Sequence, residues 1–370
     1  MFELRERDFS SFFEAPFHAY DDPAFVSYMR SDLSRLLDEK RNPLFRTTGR
    51  FTYFTVHARG KAVGRIVCHV HGASNERYNL ERGYFGFFDC CDDTRASEIL
   101  LGAAEAWLRT QGCGEIAGNF NLTAMQQIGV VTEGFGNHPY TDMQYNAAHI
   151  PRLLEAAGYE AFFPMSTFEL ELTGFDPDRV AGEKQRQLLA RSDLRWTRLR
   201  RRRFLETIEA VRRLLNASFD RNPMFVPLTA DEFTFQAKEM MWIIDERLST
   251  MVWRDDQPVG VVICIPDLNP LLASVKSRFR LSLPWHYLRH WRNRRRAVII
   301  FWAVHPSMWG EGLNAAMLFR VTQSLKAAGY TSLGMTWIAD VNQASLRQTE
   351  RLGARQLHRL HLFRKRLVDA

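Results

Sequence analysis

Phe301-Trp302-Ala303-Val304-His305-Pro306-Ser307-Met308-Trp309-Gly310-Glu311-Gly312-Leu313-Asn314 is the stretch that decides how this chain is read. The apolar run 298–304 predicts a strand. A turn follows with glycine at alternate positions, Gly310 and Gly312, and a long amphipathic helix over 313–329 begins at once. Consecutive backbone N–H groups at such a turn and helix N-terminus form a cradle for an anion of pyrophosphate size. Glycine lets a ligand come close to the main chain. The same succession also serves purely structural ends, so the surrounding sequence has to decide.

Downstream, Met335-Thr336-Trp337-Ile338-Ala339-Asp340-Val341-Asn342-Gln343-Ala344-Ser345 reads as a strand, a turn and a helix start. Glu350-Arg351-Leu352-Gly353-Ala354 ends that helix, and a last strand covers 357–367. The first half repeats this order. Arg59-Gly60-Lys61-Ala62-Val63-Gly64-Arg65-Ile66-Val67-Cys68 and Asp255-Asp256-Gln257-Pro258-Val259-Gly260-Val261-Val262-Ile263-Cys264 each read as a turn entering an apolar strand that opens with Val-Gly. Helices over 96–112 and 313–329 both stop at glycine and lead into strands. Short helix ends at 153–159 and 350–354 precede strands at 166–172 and 357–367. The chain is therefore read as α/β, a mixed sheet with flanking helices built from two copies of one unit, with the boundary near 175 (1–175 and 176–370). A length of 370 residues suits two domains of roughly 150 each.

Composition narrows the class. With 46% apolar and 25% charged residues the chain is too apolar for disorder. No run reaches the roughly 18 uncharged apolar residues of a membrane span. The charged start Met-Phe-Glu-Leu-Arg-Glu-Arg has no secretory h-region. Five cysteines without CxxC spacing exclude a disulfide framework and a zinc ribbon and fit a reducing cytoplasm. The formal charge of +7 hides an asymmetry: residues 1–180 hold 17 basic and 25 acidic side chains (−8), residues 181–370 hold 32 and 17 (+15). A one-sided basic surface attracts phosphates, lipid headgroups or nucleic acid.

The motifs of the second half resemble the GNAT acyltransferase superfamily, in which V-x-P-x-x-R-G-x-G-x-G holds the acyl-CoA pyrophosphate and an N-x-x-S/A helix start lies by the pantetheine arm. By position, the resemblance implies that Val304 presents its backbone to the pantetheine. Trp309, Gly310, Glu311, Gly312, Leu313 and Asn314 would form the phosphate loop, with Asn342 and Ser345 near the arm. Trp309 departs from the usual basic residue and Asn314 from the last glycine. At the equivalent place the first half has Phe85-Gly86-Phe87-Phe88-Asp89-Cys90-Cys91-Asp92-Asp93, whose carboxylates repel CoA, so that unit is expected on the acceptor side. Further stretches, among them Tyr20-Asp21-Asp22-Pro23, Lys40-Arg41-Asn42-Pro43, Gly118-Asn119-Phe120-Asn121 and Pro266-Asp267-Leu268-Asn269, resemble a narrower family of tandem GNAT-type bacterial acyltransferases. That family includes the bacterial ceramide synthases. The resemblance implies acyl-CoA as co-substrate, no permanently bound cofactor, and a sphingoid base or similar lipidic amine as acceptor.

Acyl transfer to an amine needs a neutral amine, a polarised thioester carbonyl and a proton for the departing thiolate. Asp267, Asp340 and His305 each end an expected strand and are the candidate bases, although all three also suit turn-capping roles. Asn119, Asn121, Glu133, Tyr140 and Asn269 are the candidate acceptor contacts. Residues 276–296 carry eight Lys/Arg, no acid, and seven large apolar or aromatic side chains. This mixture suits an anionic membrane surface, which gives the expected peripheral location on the inner face; it also suits a solvated loop whose aromatics join the core. Nucleic acid is not the expected partner. Two other readings stay open: an acetyltransferase for a small polar or peptide amine, and a non-catalytic GNAT scaffold on a membrane surface. No metal constellation is present in the sequence pattern.

Overall fold

A computed structural model describes residues 1–46, 49–238 and 240–367. The chain forms two compact units that are not contiguous in sequence. One comprises Met1–Ser166, Asn269–Tyr287 and Leu357–Ala370; the other comprises Thr167–Leu268 and Leu288–Gln356. This differs from a single boundary near 175. The reason is strand pairing: the last strand, β13 (Arg355–Arg366), returns to the first unit and pairs antiparallel with strands there.

The first unit contains β1 (Phe2–Glu6), α1 (Phe9–Ala19), α2 (Arg30–Leu36), β2 (Arg50–Ala58), β3 (Lys61–Val70), α3 (Gly72–Tyr78), β4 (Arg82–Cys90), α4 (Thr94–Thr110), β5 (Glu115–Gly118), β6 (Val130–Glu133) and α5 (His149–Ala156). Strands β1 to β4 form an antiparallel meander, β4 pairs parallel with β5, and β13 pairs antiparallel with both β5 and β6. The parallel step needs a crossover, and α4 supplies it. Its inward residues Ala96, Leu100, Leu101, Ala104 and Leu108 recur at helical spacing and are buried among Ile66, Phe85, Ile116 and Phe363. Each such leucine contributes about 1.5–3 kcal/mol of burial. The Asp93 carboxylate caps the helix by accepting from the Ala96 N–H at 3.0 Å.

Strand β7 (Glu160–Glu171) leads into the second unit. There the chain forms α6 (Glu183–Ala190), β8 (Leu194–Arg198), α7 (Phe204–Phe219), α8 (Ala230–Ala237), α9 (Met240–Ile243), β9 (Thr250–Arg254) and β10 (Gln257–Pro266). The chain then forms α10 (Asn269–Ser274), which belongs to the first unit, and α11 (Leu283–Asn293), which begins in it, before β11 (Arg296–Val304), α12 (Leu313–Ala327), β12 (Ser332–Ala339) and α13 (Gln343–Leu352) of the second. Strands β8, β9, β10 and β11 are successive antiparallel neighbours, and β11 pairs parallel with β12 through the crossover helix α12. Leu313, Met317, Val321 and Leu325 of α12 are buried against Val259, Val262, Ile299 and Leu333.

The Val-Gly repeat now has a physical cause. A Cβ on Gly64 would lie 2.9 Å from Leu100 of α4, and a Cβ on Gly260 would lie 2.8 Å from the Met317 sulfur of α12. In each unit the crossover helix rests on its strand where only glycine leaves room. Among the described residues no helix is long and apolar enough to cross a membrane.

Candidate functional site

In the second unit, β11 and β12 pair only from Arg296 with Ser332 to Ile299 with Met335. Beyond that the strands run on to Val304 and Ala339 without continuing the ladder, and Thr336 Oγ1 donates to the Ile299 carbonyl at 3.3 Å where they part. A one-residue bulge at Ile300 bends β11 at the same point. The result is a wedge between two parallel strands, and the turn that carries the glycines lies at the end of one of them.

That turn is built around Trp309. Its indole N–H donates to the Val304 carbonyl at 2.9 Å, and Ser218 of α7 donates to the same oxygen at 3.0 Å. Of the Val304 backbone, expected to face a ligand, the carbonyl thus already accepts two bonds. Gly310 and Gly312 take left-handed φ of 77° and 90°, and no atom lies within 4 Å of a Cβ built on Gly310. Gly312 begins α12 without any side-chain cap, so the first-turn N–H groups have no capping side chain and the positive end of the helix dipole lies behind them. Cations approach from elsewhere in the sequence. Lys184 donates to the Gly310 carbonyl at 3.0 Å, Arg191 pairs with Glu311 at 3.4 Å, and the Arg221 guanidinium stands 5.8 Å from the Trp309 ring centroid. Arg221 thereby brings a positive charge to the position where a basic residue was missing from the motif. Nothing in the sequence between Lys184 and Arg221 announces this convergence.

Asn342 and Ser345 form the cap of α13, the Asn342 side chain accepting from the Ser345 N–H at 3.2 Å. The three candidate bases do not meet. His305 and Asp340 follow the corresponding ends of the parallel strands β11 and β12, at the mouth of the wedge. His305 Nδ1 lies 2.8 Å from Ser307 Oγ and Nε2 lies 3.4 Å from the Gln257 amide nitrogen. Asp267 follows β10, which runs antiparallel to β11, and so sits beside Arg296 at the other end of the strand, about 26 Å from Val304 at 3.3 Å per residue. Its buried carboxylate pairs with Arg296 at 3.0 Å.

The first unit contains the same parallel pair with a different ending. Strands β4 and β5 pair from Arg82 with Glu115 to Tyr84 with Ala117. Past that point the chain folds back onto β4: the Phe120 N–H donates to the Phe85 carbonyl (2.7 Å), while the Asn121 and Asn119 side-chain oxygens accept from the N–H groups of Phe87 (2.6 Å) and Phe88 (3.2 Å). The asparagines thus occupy the backbone donors that a strand-like ligand would use. What remains is a partly open recess lined by Tyr28, Arg65, Phe88, Gln127, Gln144 and Asn269 among others. Asn121 and Asn269 both line it; Tyr140 is fully buried in the adjoining loop, and Glu133 is exposed at the end of β6. Buried Arg65 pairs with buried Asp89 at 2.7 Å, and the Tyr20 hydroxyl donates to the same carboxylate at 2.9 Å. An arginine inside the apolar stretch Val63-Gly64-Arg65-Ile66 was the sequence signal for this cluster.

A wedge between parallel strands, a glycine turn and an uncapped crossover helix define a GNAT-type acyltransferase unit. Residues 208–354 match the profile of the acetyltransferase (GNAT) family. The whole chain takes the tandem form of that fold and is an acyltransferase. Over 98% of its length it is similar to protein YghO of Escherichia coli (strain K12), with 24% identity across 94% of that protein. Over 94% of its length it is similar to the bacterial ceramide synthase of Caulobacter vibrioides (strain NA1000 / CB15N), with 25% identity across 91% of that protein. Among solved structures, the tandem GNAT protein from the clavulanic acid biosynthesis pathway superposes over all of both chains with a TM-score of 0.61 and 13% identity. The GNAT family uses acyl-CoA as its co-substrate.

Proposed function

We propose that the chain transfers a long-chain acyl group from acyl-CoA to the amine of a lipid such as a sphingoid base, working at an anionic membrane surface. The phosphates of CoA take the first-turn N–H groups of α12 together with Lys184 and Arg221, and the pantetheine arm extends the edge of β11 within the wedge. The amine nitrogen attacks the thioester carbonyl, the C–N bond forms, the C–S bond breaks, and the amine's proton passes to His305 or Asp340 and on to the thiolate. The ion pair and position of Asp267 count against it as the base.

The observation that carries the lipidic acceptor is the surface before and along α11. Leu281, Trp285 and Leu288 recur at helical spacing and are 96%, 59% and 47% exposed, with Phe279 at 77%. Arg278, Arg294 and Arg296 of the basic segment are engaged with Glu14, Asp245 and Asp267, while Lys276, Arg280, Arg292 and Arg295 are exposed around the stripe. Exposed apolar side chains ringed by cations fit an interface with anionic lipid. The similarity to a ceramide synthase supports the same acceptor class.

The test combines acetyl-, octanoyl- and palmitoyl-CoA with sphinganine and reads products by mass spectrometry, beside sedimentation with phosphatidylglycerol and phosphatidylcholine vesicles. The expected result is an N-palmitoyl amide and binding to the anionic vesicles that a Leu281→Ser/Trp285→Ser variant loses. Transfer restricted to acetyl groups and small polar amines would replace this reading with that of a small-amine acetyltransferase.

A further inference from the structure

We infer that Gln185 of α6 is a phosphate-contacting residue, through which this chain selects acyl-CoA over thioesters that carry no phosphate. The inference deepens the function above and rests on it for the ligand. Gln185 lies outside residues 208–354, which match the family profile, so the family pattern does not assign it.

One face of α6 runs along the glycine turn. Leu188 anchors the helix, buried in the same core as Leu313 and Ala316 at the start of α12. Lys184, Leu188 and Arg191 follow at i, i+4 and i+7, and Gln185 stands beside them. Lys184 donates to the Gly310 carbonyl at 3.0 Å, and Arg191 reaches Glu311 at 3.4 Å. A Cβ built on Gly312 would lie 2.8 Å from the Gln185 amide nitrogen and 3.8 Å from Leu188. Glycine at 312 therefore keeps the carboxamide in place, and any larger residue would displace it.

The direction of that carboxamide is fixed by its own helix. Its oxygen accepts from the Gly182 backbone N–H at 3.0 Å, a group that can only donate, so the nitrogen is the atom at Gly312. The nitrogen carries two N–H donors, and among the described residues neither meets an acceptor. They stand at the uncapped start of α12, where the positive end of the helix dipole favours an anion. The acids beside the turn are already met: Arg191 pairs with Glu311 and, at 2.7 Å, with Asp193, to which Arg254 adds a contact at 3.6 Å. A phosphate oxygen accepting from Gln185 gains a donor at a turn whose usual basic residue is replaced by Trp309.

The probes are octanoyl-CoA, titrated into the full chain by calorimetry, and S-octanoylpantetheine, followed by saturation-transfer NMR. The second has the same acyl chain and arm but no phosphate. Gln185→Met removes the donors and keeps the bulk, and octanoyl-CoA should bind it about tenfold more weakly. Gln185→Glu keeps an acceptor for the Gly182 N–H and sets a carboxylate oxygen where the donors were, so the loss should reach about 100-fold. S-octanoylpantetheine should bind both variants as it binds the unaltered chain, with circular dichroism confirming the folds. Undiminished octanoyl-CoA binding in either folded variant overturns the inference, as does an equal loss for the two probes, which would mark a purely structural role. Absence of octanoyl-CoA binding by the unaltered chain would overturn the proposed function and this inference together, whereas binding that ignores Gln185 overturns this inference alone.

Discussion

The N-termini of α4 and α12 follow strands of the same rank in two copies of one fold, and they treat an anion in opposite ways. At α4 the Asp93 carboxylate already accepts from the Ala96 N–H and Asp92 stands beside it, so a donor is taken and the local field is negative. At α12 a left-handed Gly312 opens the helix with no side-chain cap, and Lys184 and Arg221 bring positive charge. The two wedges differ in the same sense. In the first unit Asn119 and Asn121 bind the backbone of β4 themselves, while in the second the side of β11 toward β12 carries no ladder beyond Ile299. One unit keeps the binding geometry of its fold; the other has spent that geometry on its own side chains and retains a recess with different chemistry.

The largest test makes the second unit electrostatically like the first. Asn314→Glu places a carboxylate in the first turn of α12, where the helix dipole favours it by about 0.3–1 kcal/mol, so melting should not fall. The same charge faces the CoA phosphates and should lower kcat/KM for acyl-CoA by about 100-fold or more. Steady-state kinetics beside a thermal melt reads both; activity within a few-fold of the unaltered enzyme would break the comparison.

The next concerns packing. Gly64→Ala drives a methyl against Leu100, the Asp89 carbonyl at 3.1 Å and Val56 at 3.1 Å, whereas the methyl of Gly260→Ala meets the flexible thioether of Met317 and Leu313 at 3.2 Å. Overpacking against backbone costs about 1–3 kcal/mol, and methionine yields more readily. Urea titration should therefore find Gly64→Ala the more destabilised of the two.

A third effect depends on pH. Asp142 has a folded pKa near 7 and an unfolded one near 3.8, so the folded state holds more protons between them and stability from this group falls as pH rises through that window. Asp142→Asn should leave the melting temperature at pH 4 nearly unchanged and raise it at pH 8. An equal shift at both pH values would show that its carboxylate is not penalised by burial.

Much of this was legible in the sequence because it follows from local chemistry. Strand, glycine turn and helix at 298–329 carried the fold, and the Val-Gly echo carried its duplication, because glycine under a crossover helix is a packing requirement that leaves a mark in each copy. The carboxylates at 89–93 marked where the two copies differ, and the structure shows one of them, Asp93, capping α4. What was hidden depends on tertiary pairing. Asp267 and His305 both end strands, and only the antiparallel course of β10 puts Asp267 at the far end of β11. Arg221 approaches Trp309 across nearly ninety residues, and no periodicity carries that information. The asparagines of Gly118-Asn119-Phe120-Asn121 bond the main chain of β4, a role that residue type alone does not separate from ligand binding. The return of β13 to the first unit was invisible because a strand's sequence does not name its partner.

The central claim is that one unit, the second, holds acyl-CoA. Titration calorimetry of octanoyl-CoA into the full chain tests it most directly. The expected result is one molecule bound per chain, lost in Asn314→Glu and retained when Asp93→Asn removes the charge at the α4 cap. Two molecules per chain, or one that survives Asn314→Glu, would contradict it.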